Sequence, residues 1–186
     1  ADMTSAERTR GARTVTAEAC MDRVVVVTCG DLKRADCGAM RRRCAGRQGR
    51  WGRRDVMLTN AATLGTVTPW SLLDDKIGES AISVNLTAQW HLIRAMEPLL
   101  IAAPAGRAVL VSSGVAGRIA PFWGPYAISK AGLEAMGRVW AGETEQTNLR
   151  INMINPGGTA TGMRASAFPG EDPDSLPQPD DIAPAF

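Results

Sequence analysis

The sequence is poor in the residues that most often build metal centres and disulfide frameworks. Its 186 residues include one histidine and four cysteines, and no two cysteines form a C-x-x-C pair. The cysteines, which are Cys20, Cys29, Cys37 and Cys44, stand at spacings that fit neither a zinc site nor a disulfide-rich scaffold. We therefore expect no metal site, reduced thiols and a cytoplasmic location.

Long apolar runs and a strong net charge are also missing. Stretches such as Ala108-Val109-Leu110-Val111 are too short to cross a bilayer, and no apolar signal segment opens the sequence. The formal charge of +2 is too small to indicate a nucleic-acid partner or a membrane surface. Arginines cluster between Arg41 and Arg54, where we favour a solvated helix face and loop over a phosphate-binding patch.

Short β-branched segments alternate with longer helical ones. Apolar runs near residues 24–28, 56–58, 107–113 and 149–155 predict four strands. Long helical segments are predicted from Pro69 to about Ala102 and from Gly124 to about Glu145. This alternation predicts an α/β fold, a partial doubly wound parallel sheet of the Rossmann type, with about four strands and flanking helices. The length suits a single domain over residues 1–186.

The only tyrosine stands four residues before a lysine, in Tyr126-Ala127-Ile128-Ser129-Lys130, and Ser113 lies thirteen residues upstream of it. Residues i and i+4 of a helix share one face, so the phenol and the ammonium group can reach the same ligand. A lysine cation close to a phenol favours the phenolate and lowers its pKa. With the Ser113 hydroxyl, the pair predicts proton transfer to or from an alcohol oxygen.

These three residues and several other motifs, in the same order, resemble the short-chain dehydrogenase/reductase family. The resemblance runs from about residue 22 to the end, and Met163–Pro169 resembles a bacterial subgroup of the family. Asn85 matches the fourth member of the family's catalytic Ser-Tyr-Lys-Asn tetrad. The other matching motifs are Asp31-Leu32, Thr59-Asn60-Ala61-Ala62 and Pro156-Gly157-Gly158-Thr159-Ala160-Thr161.

The resemblance implies an NAD(P)-dependent oxidoreductase that transfers hydride between the nicotinamide and a secondary alcohol or ketone. It makes Tyr126 the general acid/base, and Lys130 the group that lowers its pKa and holds the nicotinamide ribose. Ser113 would position the substrate oxygen, and Asn85 would support a water that relays protons. The Thr161 hydroxyl and the backbone near Gly157 would orient the carboxamide.

The same resemblance gives a set of cofactor-binding residues and an assembly. The cofactor set is Asp31, Leu32, Asn60, Ala61, Tyr126, Lys130, Pro156, Gly157, Thr159 and Thr161. The two long helices form a four-helix subunit contact in this family, which implies a homo-oligomer. For the choice of cofactor, Arg8 and Arg10 would meet a 2′-phosphate and weakly favour NADP, whereas Asp2 would equally bind the ribose of NAD.

A glycine-rich turn is the main motif that the sequence lacks. The pyrophosphate of a dinucleotide is held by such a turn after the first strand, yet no G-x-G-x-x-G or T-G-x-x-x-G-x-G occurs. Thr28-Cys29-Gly30 is a poor substitute, because Asn60 follows too soon for two intervening strand–helix units. We therefore interpret Val24–Leu32 as the third strand and expect an incomplete domain. The alternative function is a truncated, inactive member of the family that cannot bind dinucleotide.

Overall fold

The computed structural model describes residues 24–27, 53–118 and 120–186. Several residues singled out above lie outside this part of the chain. They are Asp2, Arg8, Arg10, Asp31, Leu32, the four cysteines and the arginines of the cluster from Arg41 to Arg50.

The described residues form a parallel sheet of four strands. These are β1 (Val24–Val27), β2 (Val56–Thr59), β3 (Arg107–Val111) and β4 (Arg150–Ile154), in the spatial order β1-β2-β3-β4. Short runs rich in valine, isoleucine and leucine suit strands that are covered on both faces. The sheet and its parallel connections confirm the predicted α/β fold.

The place of β1 differs from the sequence-based interpretation. In the doubly wound order 3-2-1-4-5-6, the third strand lies at the edge of the sheet, and two other strands separate it from the fourth. Instead β1 pairs directly with β2, with Val24 opposite Val56 and Val27 opposite Thr59, which is where the first strand of that order would lie. This pairing satisfies the backbone groups along an edge of β2 that no other described strand covers.

Helices occupy the two long segments that the sequence predicts. The first begins with a 3₁₀ turn at Trp70–Leu72 and continues as α1 (Asp75–Ile82), a π-helical turn at Ser83–Thr87 and α2 (Ala88–Ile101). The second is α3 (Gly124–Glu143). Two short helices follow β4, α4 (Gly162–Ala167) and α5 (Pro179–Ile182). A carboxylate oxygen of Asp74 accepts a hydrogen bond from the amide of Ile77 (3.2 Å) and caps the first turn of α1.

One apolar core joins the sheet to α2 and α3. Its fully buried members include Met57, Met96, Leu100, Leu110 and Trp140. The indole nitrogen of Trp140 donates to a carboxylate oxygen of Glu97 (2.7 Å), so the polar atom of this large side chain is satisfied. This core fixes the carboxyl ends of the strands relative to α3.

Nowhere in the described part of the chain does a helix combine the length and the apolar character that a bilayer crossing requires.

Candidate active site

The motifs predicted to carry function follow the carboxyl ends of neighbouring strands. Asn60 and Ala61 follow β2, Ser113 lies two residues after β3, and Pro156 and Gly157 follow β4. In parallel α/β sheets, ligands bind in the crevice at this edge. The structure therefore brings the described parts of the predicted site to one edge of the sheet.

The Ser113 side chain lies beside the phenol of Tyr126, close enough to lower its pKa. Tyr126 lies in the first turn of α3 and is only 9% exposed. Burial raises the pKa of the Tyr126 phenol above its ordinary value, and the Ser113 side chain lowers it in part. This is the opposite of the lowered pKa expected from the sequence, because desolvation of the phenolate outweighs the groups that favour it.

Lys130 lies one helical turn after Tyr126 and is 2% exposed. Its ammonium nitrogen donates to the backbone carbonyl of Val111 at the end of β3 (2.7 Å) and lies 5.8 Å from the centroid of the Tyr126 ring. A buried ammonium group requires such hydrogen bonds. The contact ties the face of α3 that carries Tyr126 and Lys130 to the strand that leads to Ser113.

Asn85 lies in the π-helical turn, is 0% exposed and joins three parts of the site. Its side-chain oxygen accepts from the Thr63 amide (2.8 Å), and its nitrogen donates to the Thr63 carbonyl (2.9 Å) and to the Ser129 hydroxyl (3.0 Å). Ser129 in turn donates to the Tyr126 carbonyl (2.8 Å). The side chain therefore anchors the loop after β2 to α3. The proton-relay role of Asn85 stays a prediction.

The loop after β4 carries the last of the motifs that the sequence predicts to bind the cofactor. Gly157 adopts a positive φ of 74°, a conformation that favours glycine. The Thr159 side chain is 8% exposed, and its hydroxyl oxygen has no hydrogen-bond partner among the described residues. The Thr161 hydroxyl caps α4 by accepting from the Arg164 amide (3.2 Å) and keeps its proton for donation to a ligand.

A group of side chains beside the site was not predicted from the sequence. The ring of Trp123 lies 6.0 Å from that of Tyr126 and 5.7 Å from that of Phe168. The Arg164 guanidinium lies 3.9 Å from the centroid of the Phe168 ring and forms two hydrogen bonds with Glu171 (2.5 and 2.6 Å). The bond to Arg164 lowers the pKa of the Glu171 carboxyl. The sequence offered one signal for this group, which is that aromatic residues are few in the chain and several of them stand near Tyr126.

Two arginines of the predicted cluster fall within the described residues, and they are not both solvated. Arg54 is buried, and its amide donates to the Leu99 carbonyl (2.9 Å), while Arg53 pairs with Asp55 (3.3 Å). In the described ranges, no three or more His, Cys, Asp and Glu side chains are placed to hold a metal ion.

The fold is a Rossmann-type α/β fold, and comparison with known proteins identifies the family. The sequence profile described as short chain dehydrogenase matches residues 2–172. The chain belongs to the short-chain dehydrogenase family.

Individual relatives agree with this membership. The chain is 46% identical over 134 residues to the uncharacterised oxidoreductase YciK of Escherichia coli K12, covering 72% of this chain and 53% of that protein. It is 36% identical over 129 residues to an uncharacterised NAD-dependent oxidoreductase of Mycobacterium tuberculosis H37Rv, covering 69% and 46%. A short chain dehydrogenase from Shigella flexneri 2a, complexed with NADP, superposes with a TM-score of 0.79 at 40% identity, covering 83% and 64%. The chain thus spans about half the length of the curated relatives it matches.

Proposed function

We propose that the protein is an NAD(P)-dependent oxidoreductase that interconverts a secondary alcohol and a ketone through Ser113, Tyr126, Lys130 and Asn85. The observation that carries the proposal is the buried pair on α3: the Lys130 ammonium nitrogen lies 5.8 Å from the centroid of the Tyr126 ring, and Ser113 lies beside the phenol. A small-molecule carbonyl oxygen that meets both hydroxyl groups would receive two hydrogen bonds and, from Tyr126, a proton. The Lys130 contact with Val111 holds the same helix face against β3.

The phenol of Tyr126 is protonated near neutral pH and can therefore act as the acid in ketone reduction. A phenol that keeps its proton can donate it to the carbonyl oxygen, and in alcohol oxidation the same atom must accept a proton. Ser113 donates to or accepts from the reacting oxygen and so orients it. A bound nicotinamide would supply or accept the hydride.

The described residues suit a nicotinamide nucleotide at the edge of the sheet. The buried Thr159 hydroxyl without a protein partner and the Thr161 hydroxyl are both available to a carboxamide or a phosphate. Asn60, Ala61, Pro156 and Gly157 line the neighbouring strand ends, and Asp31 and Leu32 complete the proposed set. We favour NADP weakly over NAD, since the Shigella relative is complexed with NADP, whereas the Mycobacterium relative is named NAD-dependent.

Titration of the 186-residue chain with NADPH and NADH, followed by nicotinamide fluorescence, tests the proposal. We expect saturable binding of at least one nucleotide. Thr159→Val should weaken that binding by about two- to tenfold, the value of one hydrogen bond. The same variant should unfold at an unchanged or higher temperature, because the hydroxyl that it removes has no protein partner.

Two outcomes of the titration would contradict the proposal. Failure of both nucleotides to bind would favour the alternative, an inactive family member. Equal nucleotide affinity in Thr159→Val and the original chain would remove Thr159 from the cofactor set. Gly142→Ala is a matched control, since a methyl group at that exposed helical position meets nothing within 4 Å.

A homo-oligomer formed through the long helices is a further part of the proposal. Large apolar side chains on these helices are exposed, among them Trp90 (51%) on α2, and Ile128 (51%) and Val139 (61%) on α3. Burial of such side chains is a common basis of subunit contacts. Sedimentation equilibrium should give a mass of at least twice 19.8 kDa, and Val139→Glu should lower it. A monomer at high concentration would contradict this part. We also propose a cytoplasmic location, which the cysteine spacing supports.

A further inference from the structure

Aromatic side chains concentrate around the amino-terminal end of α3. The chain contains nine aromatic residues apart from its histidine, and five of them meet here. They are Trp70, Phe122, Trp123, Tyr126 and Phe168. Trp70 packs directly on Gly124, where an added Cβ would lie 2.5 Å from the indole ring. More than half of the aromatic residues, Tyr126 included, therefore lie near this end of α3.

Two of these rings form a surface that adjoins Tyr126, and we call Trp123 and Phe168 the aromatic wall. The Trp123 ring lies 6.0 Å from Tyr126 at 57°, and 5.7 Å from Phe168 at 38°. Both separations fall in the range of favourable aromatic pairs. Trp123 is partly exposed and Phe168 is 38% exposed, so each side chain leaves part of its surface open to contact with a ligand.

Arg164 holds the wall in place and leaves it without net charge. Its guanidinium stacks on Phe168, while two hydrogen bonds to Glu171 balance its charge. The same group approaches Gly158, where an added Cβ would lie 3.5 Å from the guanidinium carbon. The wall is thus fixed to the loop after β4 before a substrate arrives, which lowers the entropy cost of binding.

The backbone beside the wall is strained. Phe122 has a φ of 73°, a left-handed conformation that is unusual for a bulky side chain. Its carbonyl accepts from the Thr68 amide (3.0 Å), which holds the turn. Strain of this kind persists where the surrounding structure needs it, often at binding sites. Here it sets the direction of the chain directly before Trp123.

We propose that the aromatic wall selects substrates that carry a flat, apolar group next to the reacting carbon, such as aryl ketones and the corresponding alcohols. This inference rests on the proposed function, because it assumes that the reacting oxygen meets Ser113 and Tyr126. A substrate held there would bring its substituent within reach of Trp123. A neutral surface of offset rings favours a planar apolar group over an anionic or a bulky saturated one.

Acetophenone and cyclohexyl methyl ketone test the inference, since both are eight-carbon methyl ketones and only the first is flat. With NADPH, kcat/KM for acetophenone should exceed that for the cyclohexyl ketone by about three- to tenfold. Trp123→Leu and Phe168→Leu should each reduce this ratio toward one. Phe186→Leu, which removes an exposed aromatic ring at the last residue, should leave the ratio unchanged. Far-ultraviolet circular dichroism checks that each variant folds.

Separate measurements of binding and of turnover distinguish a failure of this inference from a failure of the proposed function. Saturation-transfer NMR should detect acetophenone bound to the chain with NADPH, and Trp123→Leu should weaken that signal. Turnover of both ketones without a preference, or a preference that survives both wall variants, would overturn the inference and leave the chemistry standing. Acetophenone binding that depends on Trp123, without turnover, would keep the wall and reject the proposed chemistry. Absence of both binding and turnover would reject both.

Discussion

Tyr126→Phe should lower kcat for ketone reduction by about 10²- to 10⁴-fold, the usual range for loss of a general acid. The substitution removes one oxygen and keeps the ring, so the contact with Trp123 and the packing of the first turn of α3 are preserved. Ser113 loses the neighbouring hydroxyl, and no described residue offers a replacement phenol because Tyr126 is the only tyrosine. Nucleotide affinity should change little.

The dependence of the rate on pH distinguishes proton transfer by Tyr126 from a purely structural role of that residue. Ketone reduction needs the protonated phenol, so its rate should fall as pH rises through the pKa of Tyr126, whereas alcohol oxidation should rise. The Ser113 side chain lowers that pKa, so Ser113→Ala should move both profiles to higher pH. Ser112→Ala is the matched control, because the Ser112 hydroxyl donates to Glu134 (2.7 Å) instead. Full turnover by Tyr126→Phe would exclude Tyr126 as the proton donor, and identical profiles for the two serine variants would exclude Ser113 as the group that lowers its pKa.

Motifs that depend on local spacing were predictable from the sequence. The helical spacing of Tyr126 and Lys130 and the apolar runs of β2, β3 and β4 follow from backbone periodicity alone. The direction of the Tyr126 pKa shift does not, because it depends on how deeply the phenol is buried by side chains distant in sequence. The interpretation of β1 as the third strand was likewise wrong, because β1 pairs with β2. A short run of valines carries no information about which strands will be its neighbours in the sheet.

The aromatic wall shows what spacing cannot reveal. Trp123 and Phe168 stand forty-five residues apart in the sequence. The turn at Phe122 and the helix α4 bring their two rings together. Arg164 and Glu171 are seven apart and flank a proline and a glycine, so their pairing follows from the turn rather than from a helical period. Such contacts come from tertiary structure, and in our proposal they select the substrate.

Asn85→Leu should be the most destabilising single change at the site, lowering the free energy of unfolding by about 2–5 kcal/mol. Leucine keeps the branching and the number of side-chain heavy atoms of asparagine, but it leaves the amide and the carbonyl of Thr63 without their partners and removes the donor to Ser129. Each buried group that loses its hydrogen bond carries a desolvation cost. Urea denaturation, with the midpoint and slope compared between variants, measures the loss.

Gln89 provides a matched control on the same helical segment. It is also buried, yet its nitrogen makes only two long hydrogen bonds, to the carbonyls of Ala61 and Val84 (3.3 Å each), and its side-chain oxygen has no partner among the described residues. Replacement by methionine removes an unsatisfied polar atom along with two weak contacts, so Gln89→Met should cost less than about 1 kcal/mol. Because Asn85 also reaches Tyr126 through Ser129, its loss should lower kcat in the fraction that stays folded, whereas Gln89→Met should not. Equal destabilisation by the two variants would mean that Asn85 fills space, and that the hydrogen bonds to Thr63 and Ser129 do not organise the site.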